Sequence, residues 1–118
     1  MLDYKIKYVT KENVLNKILK YHKTSKEPFS LLFISPWDER CIALMRILKK
    51  KCSKATEEST PLWIVDSFNT PHSFVIFKVK QAPFLVISRD IKRSAELEME
   101  GYLPRILDHF SISKFILE

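Results

Sequence analysis

Ser30-Leu31-Leu32-Phe33-Ile34-Ser35-Pro36-Trp37-Asp38-Glu39-Arg40-Cys41 is the stretch on which the fold turns. From Ser30 to Ser35 it is apolar with no alternation. That is the pattern of a strand covered on both faces, which usually means a central strand of a parallel sheet. Pro36 and Trp37 follow, and then a long helix with Cys41, Leu44, Met45, Leu48 and Cys52 along one side. Asp38 is a good cap residue for that helix and Glu39 falls in its first turn. Both carboxylates sit at the positive end of the helix dipole, a gain of roughly 0.3–1 kcal/mol each if exposed.

Working outward, Tyr4, Ile6 and Tyr8 alternate with Lys5 and Lys7, which predicts a half-buried strand. Thr10 is expected to cap the next helix, whose apolar face is Val14, Leu15, Ile18 and Leu19 and which runs to about His22 before Lys26-Glu27-Pro28 breaks it. The polar stretch Ser53 to Thr60 ends the second helix, and Leu62 to Asp66 is a second short buried strand. Asn69 or Thr70 caps a short helix that has Pro71 at its first position and holds Phe74 to Phe77. Pro83 is placed at the first residue of a strand running to Ser88, since proline is excluded from a strand's interior. Arg89-Asp90 supplies a turn, Ala95, Leu97 and Met99 alternate with Glu96 and Glu98 in an edge-type strand, and Gly101 marks its exit. Pro104 opens a final helix with Ile106, Leu107 and Phe110 inward. The order β-α-β-α-β-α-β-β-α requires parallel crossovers first and an antiparallel pair last. The expected fold is therefore α/β: a mixed central sheet with helices on both faces, in one domain spanning residues 1–118.

Composition narrows the chemistry. Of 118 residues, 46% are hydrophobic and 12% aromatic, enough to fill a core. A single Gly rules out Gly-rich phosphate loops and dinucleotide fingerprints. Two Cys cannot make a disulfide scaffold, and His22, His72 and His109 lie at no metal-ligand spacing, so neither metal nor cofactor is expected. No apolar run reaches membrane-helix length, and the opening MLDYKIKYVT has no signal-peptide core; a cytoplasmic protein is expected. The net charge of +6 arises in the first half, at Lys11, Lys17, Lys20, Lys23 and Lys26 and at Lys49, Lys50, Lys51 and Lys54. Such clusters could meet an acidic partner, nucleic acid or anionic lipid. Their position toward helix ends favours a solvated face that complements the dipole, and interleaved exposed aromatics for a nucleic-acid platform are missing.

These residues together resemble the thioredoxin family, over nearly the whole chain. A buried strand runs into Trp37 and then into Asp38-Glu39-Arg40-Cys41 at a helix start, where thioredoxins carry Trp-Cys-Gly-Pro-Cys. Ala82-Pro83-Phe84-Leu85-Val86-Ile87 resembles the family's cis-proline segment, and Glu100-Gly101-Tyr102-Leu103 resembles the glycine before its final helix. The resemblance implies the thioredoxin fold. It also shows where this chain departs from the family. Asp38 replaces the first cysteine, and a carboxylate cannot attack a disulfide. Leu32 stands where the family has a buried Asp that handles the proton of the second thiol.

Cys41 is left in the resolving position without a partner. Nearby carboxylates oppose its ionisation, so a quiet core thiol is expected; a working monothiol is the alternative, and it needs an exposed, acidified Cys41. Cys52 lies about 16 Å further along the helix, beyond the roughly 7 Å a disulfide allows, and reads as a surface or core-edge thiol. The implied function is a thioredoxin-fold protein without dithiol–disulfide oxidoreductase activity, serving as a protein-interaction or scaffolding accessory subunit. Thioredoxin-like proteins fill such roles in secretion or conjugation systems. The expected partner is another protein, meeting Trp37, Asp38, Glu39, Arg40, Ala82 and Pro83. Trp37 is either an exposed anchor or a lid on its helix, Arg40 an internal ion-pair partner, and Pro83 either part of a peptide-docking edge or only a shaper of its strand.

Overall fold

The computed structural model describes residues 3–25, 27–88 and 97–113. Nine elements follow in chain order: β1 (Tyr4–Val9), α1 (Glu12–Ser25), β2 (Ser30–Ile34), α2 (Glu39–Lys51), β3 (Thr60–Asp66), α3 (Pro71–Ile76), β4 (Phe84–Ser88), β5 (Leu97–Gly101) and α4 (Leu103–His109). The five strands form one sheet in the order β1-β3-β2-β4-β5. β3 pairs parallel with both β1 and β2, while β4 pairs antiparallel with β2 and with β5. The expected turn at Arg89-Asp90 and the alternating position Ala95 lie outside the described residues.

The unbroken apolar run of β2 has a direct cause: every residue from Ser30 to Ile34 is buried. Side chains alternate between faces along a strand. Leu31 and Phe33 join Val9, Leu15, Ile18, Val65 and Val86 under α1 and α3. Leu32 and Ile34 join Leu44, Met45, Leu48, Ile64, Leu85, Ile106 and Phe110 under α2 and α4. Each face is thus a separate layer of packed helix and sheet. Fully burying one such side chain contributes roughly 1.5–3 kcal/mol.

Several details differ from expectation, each for a tertiary reason. Tyr4 and Ile6 pack against the α2/α4 core, but Tyr8 on the same side is 52% exposed. Helix α1 begins at Glu12, so Lys11 and not Thr10 precedes it. It also runs three residues past His22, which is buried. Of the lysines on α1, only Lys23 falls in the last turn; Lys17 and Lys20 stand exposed at mid-helix, where the dipole gives them no advantage. Lys49, Lys50 and Lys51 do fill the last turn of α2. Cys52, the C-cap of α2, is 7% exposed, a core-edge and not a surface thiol, and its N–H donates back to Leu48 O. Thr70 is the N-cap residue of α3, one of the two expected, but its side chain makes no cap bond: its hydroxyl donates instead to Asp66 O at 2.8 Å.

His22 shows how α1 is anchored. Its ring stacks on Phe29 with centroids 4.3 Å apart. Trp63 Nε1 can only donate, so Nε2 of His22 accepts from it at 3.4 Å, and Nδ1–H donates to Glu27 O at 3.2 Å. Burial pushes the imidazole below its ordinary pKa, against smaller opposing effects of Glu27. A neutral folded-state histidine binds fewer protons than its unfolded counterpart. Its contribution is complete above the unfolded value near 6.5 and is lost as pH falls through that value toward the lower folded one. Urea midpoints should therefore fall between about pH 7.5 and 5.5 in the wild type, and the slope should shrink in His22→Phe. An identical slope in both proteins would contradict this anchoring role.

Candidate functional site

The site is built where β2 ends. Asp38 N donates to Ser35 O at 3.1 Å, closing the turn that carries Pro36 and Trp37. Asp38 is the N-cap of α2, with φ −80° and ψ 126°. Its Oδ1 accepts from the backbone N–H of Arg40 at 2.8 Å and of Cys41 at 3.2 Å. Two of the four free donors of a helix start are thereby satisfied by one carboxylate oxygen. Burial pushes the Asp38 carboxyl up, but the Cys41 N–H and the Arg40 guanidinium and N–H outweigh it and hold the group below the ordinary carboxylate value. Glu39 occupies the first helical turn and is exposed.

Arg40 is more than the ion-pair partner foreseen. Its Nε lies 3.5 Å from Asp38 Oδ1, while Nη2 donates to Ala82 O at 3.2 Å. The side chain therefore ties the start of α2 to the segment before β4. The Ala82–Pro83 peptide bond is cis. Pro83 itself is buried and Ala82 half-buried against the α2/α4 core. Trp37 is 67% exposed and so is no lid packed on its helix.

Cys41 faces inward. It is 1% exposed, and its thiol is pushed up to about 11, first by burial and further by the Asp38 carboxylate, against the opposing Ser35 N–H and Arg40. Ser35 N donates to its sulfur at 3.4 Å. Leu32 lies in register with Ile64 on β3 and Leu85 on β4, all three buried, so the core in which Cys41 packs is apolar. Cys41 and Cys52 are both free thiols.

The sequence reading missed the part of this surface contributed by β3. Ser67 N donates to Ile34 O at 3.0 Å and Ser67 Oγ to Ser35 Oγ at 3.3 Å, pinning the loop after β3 to the loop after β2. Asp66 Oδ1 accepts from Phe68 N at 2.9 Å and Asn69 N at 2.7 Å, an Asx turn that leaves Phe68 73% exposed. The signal was present: Asp66 and Asn69 are turn residues at turn spacing. Trp37 and Phe68 thus lie on two loops tied together at the same end of the sheet. Among the described residues no group of three His, Cys, Asp or Glu stands close enough to hold a metal ion, and no helix is long and apolar enough to cross a membrane.

Removing the cap should be visible in stability. Asp38→Ala is expected to lose about 0.5–2 kcal/mol and Asp38→Asn markedly less, measured by urea denaturation at neutral pH. Equal losses would assign the effect to charge and not to the hydrogen bonds.

No protein-family model matches the sequence, and no curated protein matches it. Solved structures are similar in fold. A thioredoxin of Nicotiana alata superposes with a TM-score of 0.69 at 12% identity, covering 96% of this chain and 95% of that one. Thioredoxin O1 of Arabidopsis thaliana in its oxidized state gives 0.67 at 11% identity, covering 94% and 98%. A thioredoxin of Trypanosoma brucei brucei gives 0.63 at 17% identity, covering 91% and 88%. The element order, the five-stranded mixed sheet, the helix starting at residue 39 and these superpositions agree: the chain has the thioredoxin fold.

Proposed function

We propose that this protein uses the thioredoxin fold without dithiol–disulfide oxidoreductase activity and acts as a protein-interaction or scaffolding accessory subunit, of the kind found in larger machines such as secretion or conjugation systems. One observation carries the reading. The helix start that would activate a thiolate is occupied by the Asp38 carboxylate, and the only thiol in that turn is 1% exposed and pushed up to about 11. A nucleophilic cysteine needs the opposite environment, exposed and electropositive.

The contact face comprises Trp37, Asp38, Glu39, Arg40, Ala82 and Pro83. Trp37 supplies the large exposed apolar area that anchors at interfaces provide. Glu39 is exposed beside it, and Asp38 and Arg40 are held in place by each other. Pro83 is buried, so its part in this face is to shape the segment that carries Ala82. The partner is another protein, the setting is cytoplasmic, and no cofactor takes part.

In an insulin-reduction assay with dithiothreitol the protein should add nothing to the uncatalysed rate, and Cys41→Ser should behave like the wild type. Turnover comparable to a thioredoxin, lost in Cys41→Ser, would overturn the reading. A photo-crosslinking residue at Trp37 should capture the partner, and one at Lys17 on α1 should not. Capture confined to Lys17 would reject the proposed face.

A further inference from the structure

Tyr8, at the end of edge strand β1, is left exposed by the helical layer that half-buries Tyr4 and Ile6. Between it and the outer side of α2 lies an open groove of about 350 Å³, within the usual size range of small-ligand sites. Its floor is apolar, made by buried Ile34 and Met45, and Ile42 forms a wall that is 44% exposed. Arg46 and Lys49 follow Ile42 along the same helix at i+4 and i+7 and bring two cations to the lining. Among the described residues, none that lines the groove is acidic. The groove lies on the β1 side of α2, whereas Arg40 reaches Ala82 on the β4 side, with β2 and β3 between in the sheet.

An apolar trough ending in cations and a phenol fits an amphiphile of negative charge. We propose that this groove binds a small amphipathic organic anion, an aryl or medium-chain alkyl carboxylate. Its apolar body lies along Met45 and Ile42, and its carboxylate meets Lys49 and the Tyr8 hydroxyl. Charge-assisted hydrogen bonds are roughly twice as strong as neutral ones, so the anion is held at one end and only desolvated at the other. Ser35, Pro36 and Cys41 complete the lining, so the groove borders the turn that carries Trp37, but none of the residues named for the anion is one assigned to the protein-docking face.

The test uses anilinonaphthalene sulfonate as a fluorescent anionic probe, with octanoate and octanamide as competitors. Saturable one-site binding is expected, and Lys49→Glu and Ile42→Glu should each weaken it by about fivefold or more. Lys17→Glu makes the same charge change on α1, on the other face of the sheet, and should leave it unchanged. Octanoate should displace the probe at lower concentration than octanamide. Three results would overturn the proposal: no saturable binding, equal weakening by Lys17→Glu and Lys49→Glu, or equal displacement by the acid and the amide. The two competitors are compared on the unaltered protein, so that arm decides even if a substitution disturbs folding.

Discussion

One carboxylate oxygen holds the site together. Asp38 Oδ1 accepts from the backbone N–H groups of Arg40 and Cys41 and sits 3.5 Å from Arg40 Nε. The helix start is thereby capped, its positive dipole end is matched by negative charge, and Arg40 is oriented so that its other end reaches Ala82 O. The turn before it is closed by Ser35, whose N–H also points at the Cys41 sulfur. Cap, ion pair and inter-element link are three uses of the same short stretch. Losing the carboxylate would disturb all of them together.

A helix N-terminus favours a negative charge without choosing which group carries it. A thiolate there becomes a nucleophile, while a carboxylate becomes a cap. With Asp38 in that place, Cys41 is carried into the core with Leu44 and Leu48 and is destabilised as an anion both by burial and by its acidic neighbour. The apolar Leu32, Ile64 and Leu85 offer no group to move its proton. The scaffold can then keep its shape while its end of the sheet presents Trp37 and Phe68 to solvent.

The central features were legible because they depend on short stretches. An unbroken Ser30–Ser35 run has no solvent face to write polar residues into, so β2 announced itself as a two-sided central strand. Asp38 before the periodic apolar set announced α2, and Pro83 bounded β4. What escaped depends on contacts between distant parts. Thr10 looks like a cap, yet the start of α1 is set one residue later. Tyr8 has the alternation of an inward residue, but no helix among the described residues buries it. The sequence leaves Cys52 as a surface or a core-edge thiol, and only packing around the end of α2 decides that it is buried. No local pattern could say that Arg40 would bridge to Ala82, because that contact exists only once β4 lies against β2. Phe68 was missed for a milder reason: the Asp66 turn is local, but its consequence, an exposed aromatic at the same end of the sheet as Trp37, requires the tie between Ser67 and Ser35.

A thioredoxin fold without dithiol chemistry requires Cys41 to stay protonated behind the Asp38 cap. Its most direct test is the pH dependence of Cys41 alkylation by iodoacetamide in the Cys52→Ala background, with folding followed in parallel. A thiol pushed up to about 11 predicts a rate that keeps climbing through pH 10 with no plateau. A plateau reached by about pH 8, at or below the ordinary thiol range, would mean that the helix start still stabilises a thiolate, and the account would be wrong.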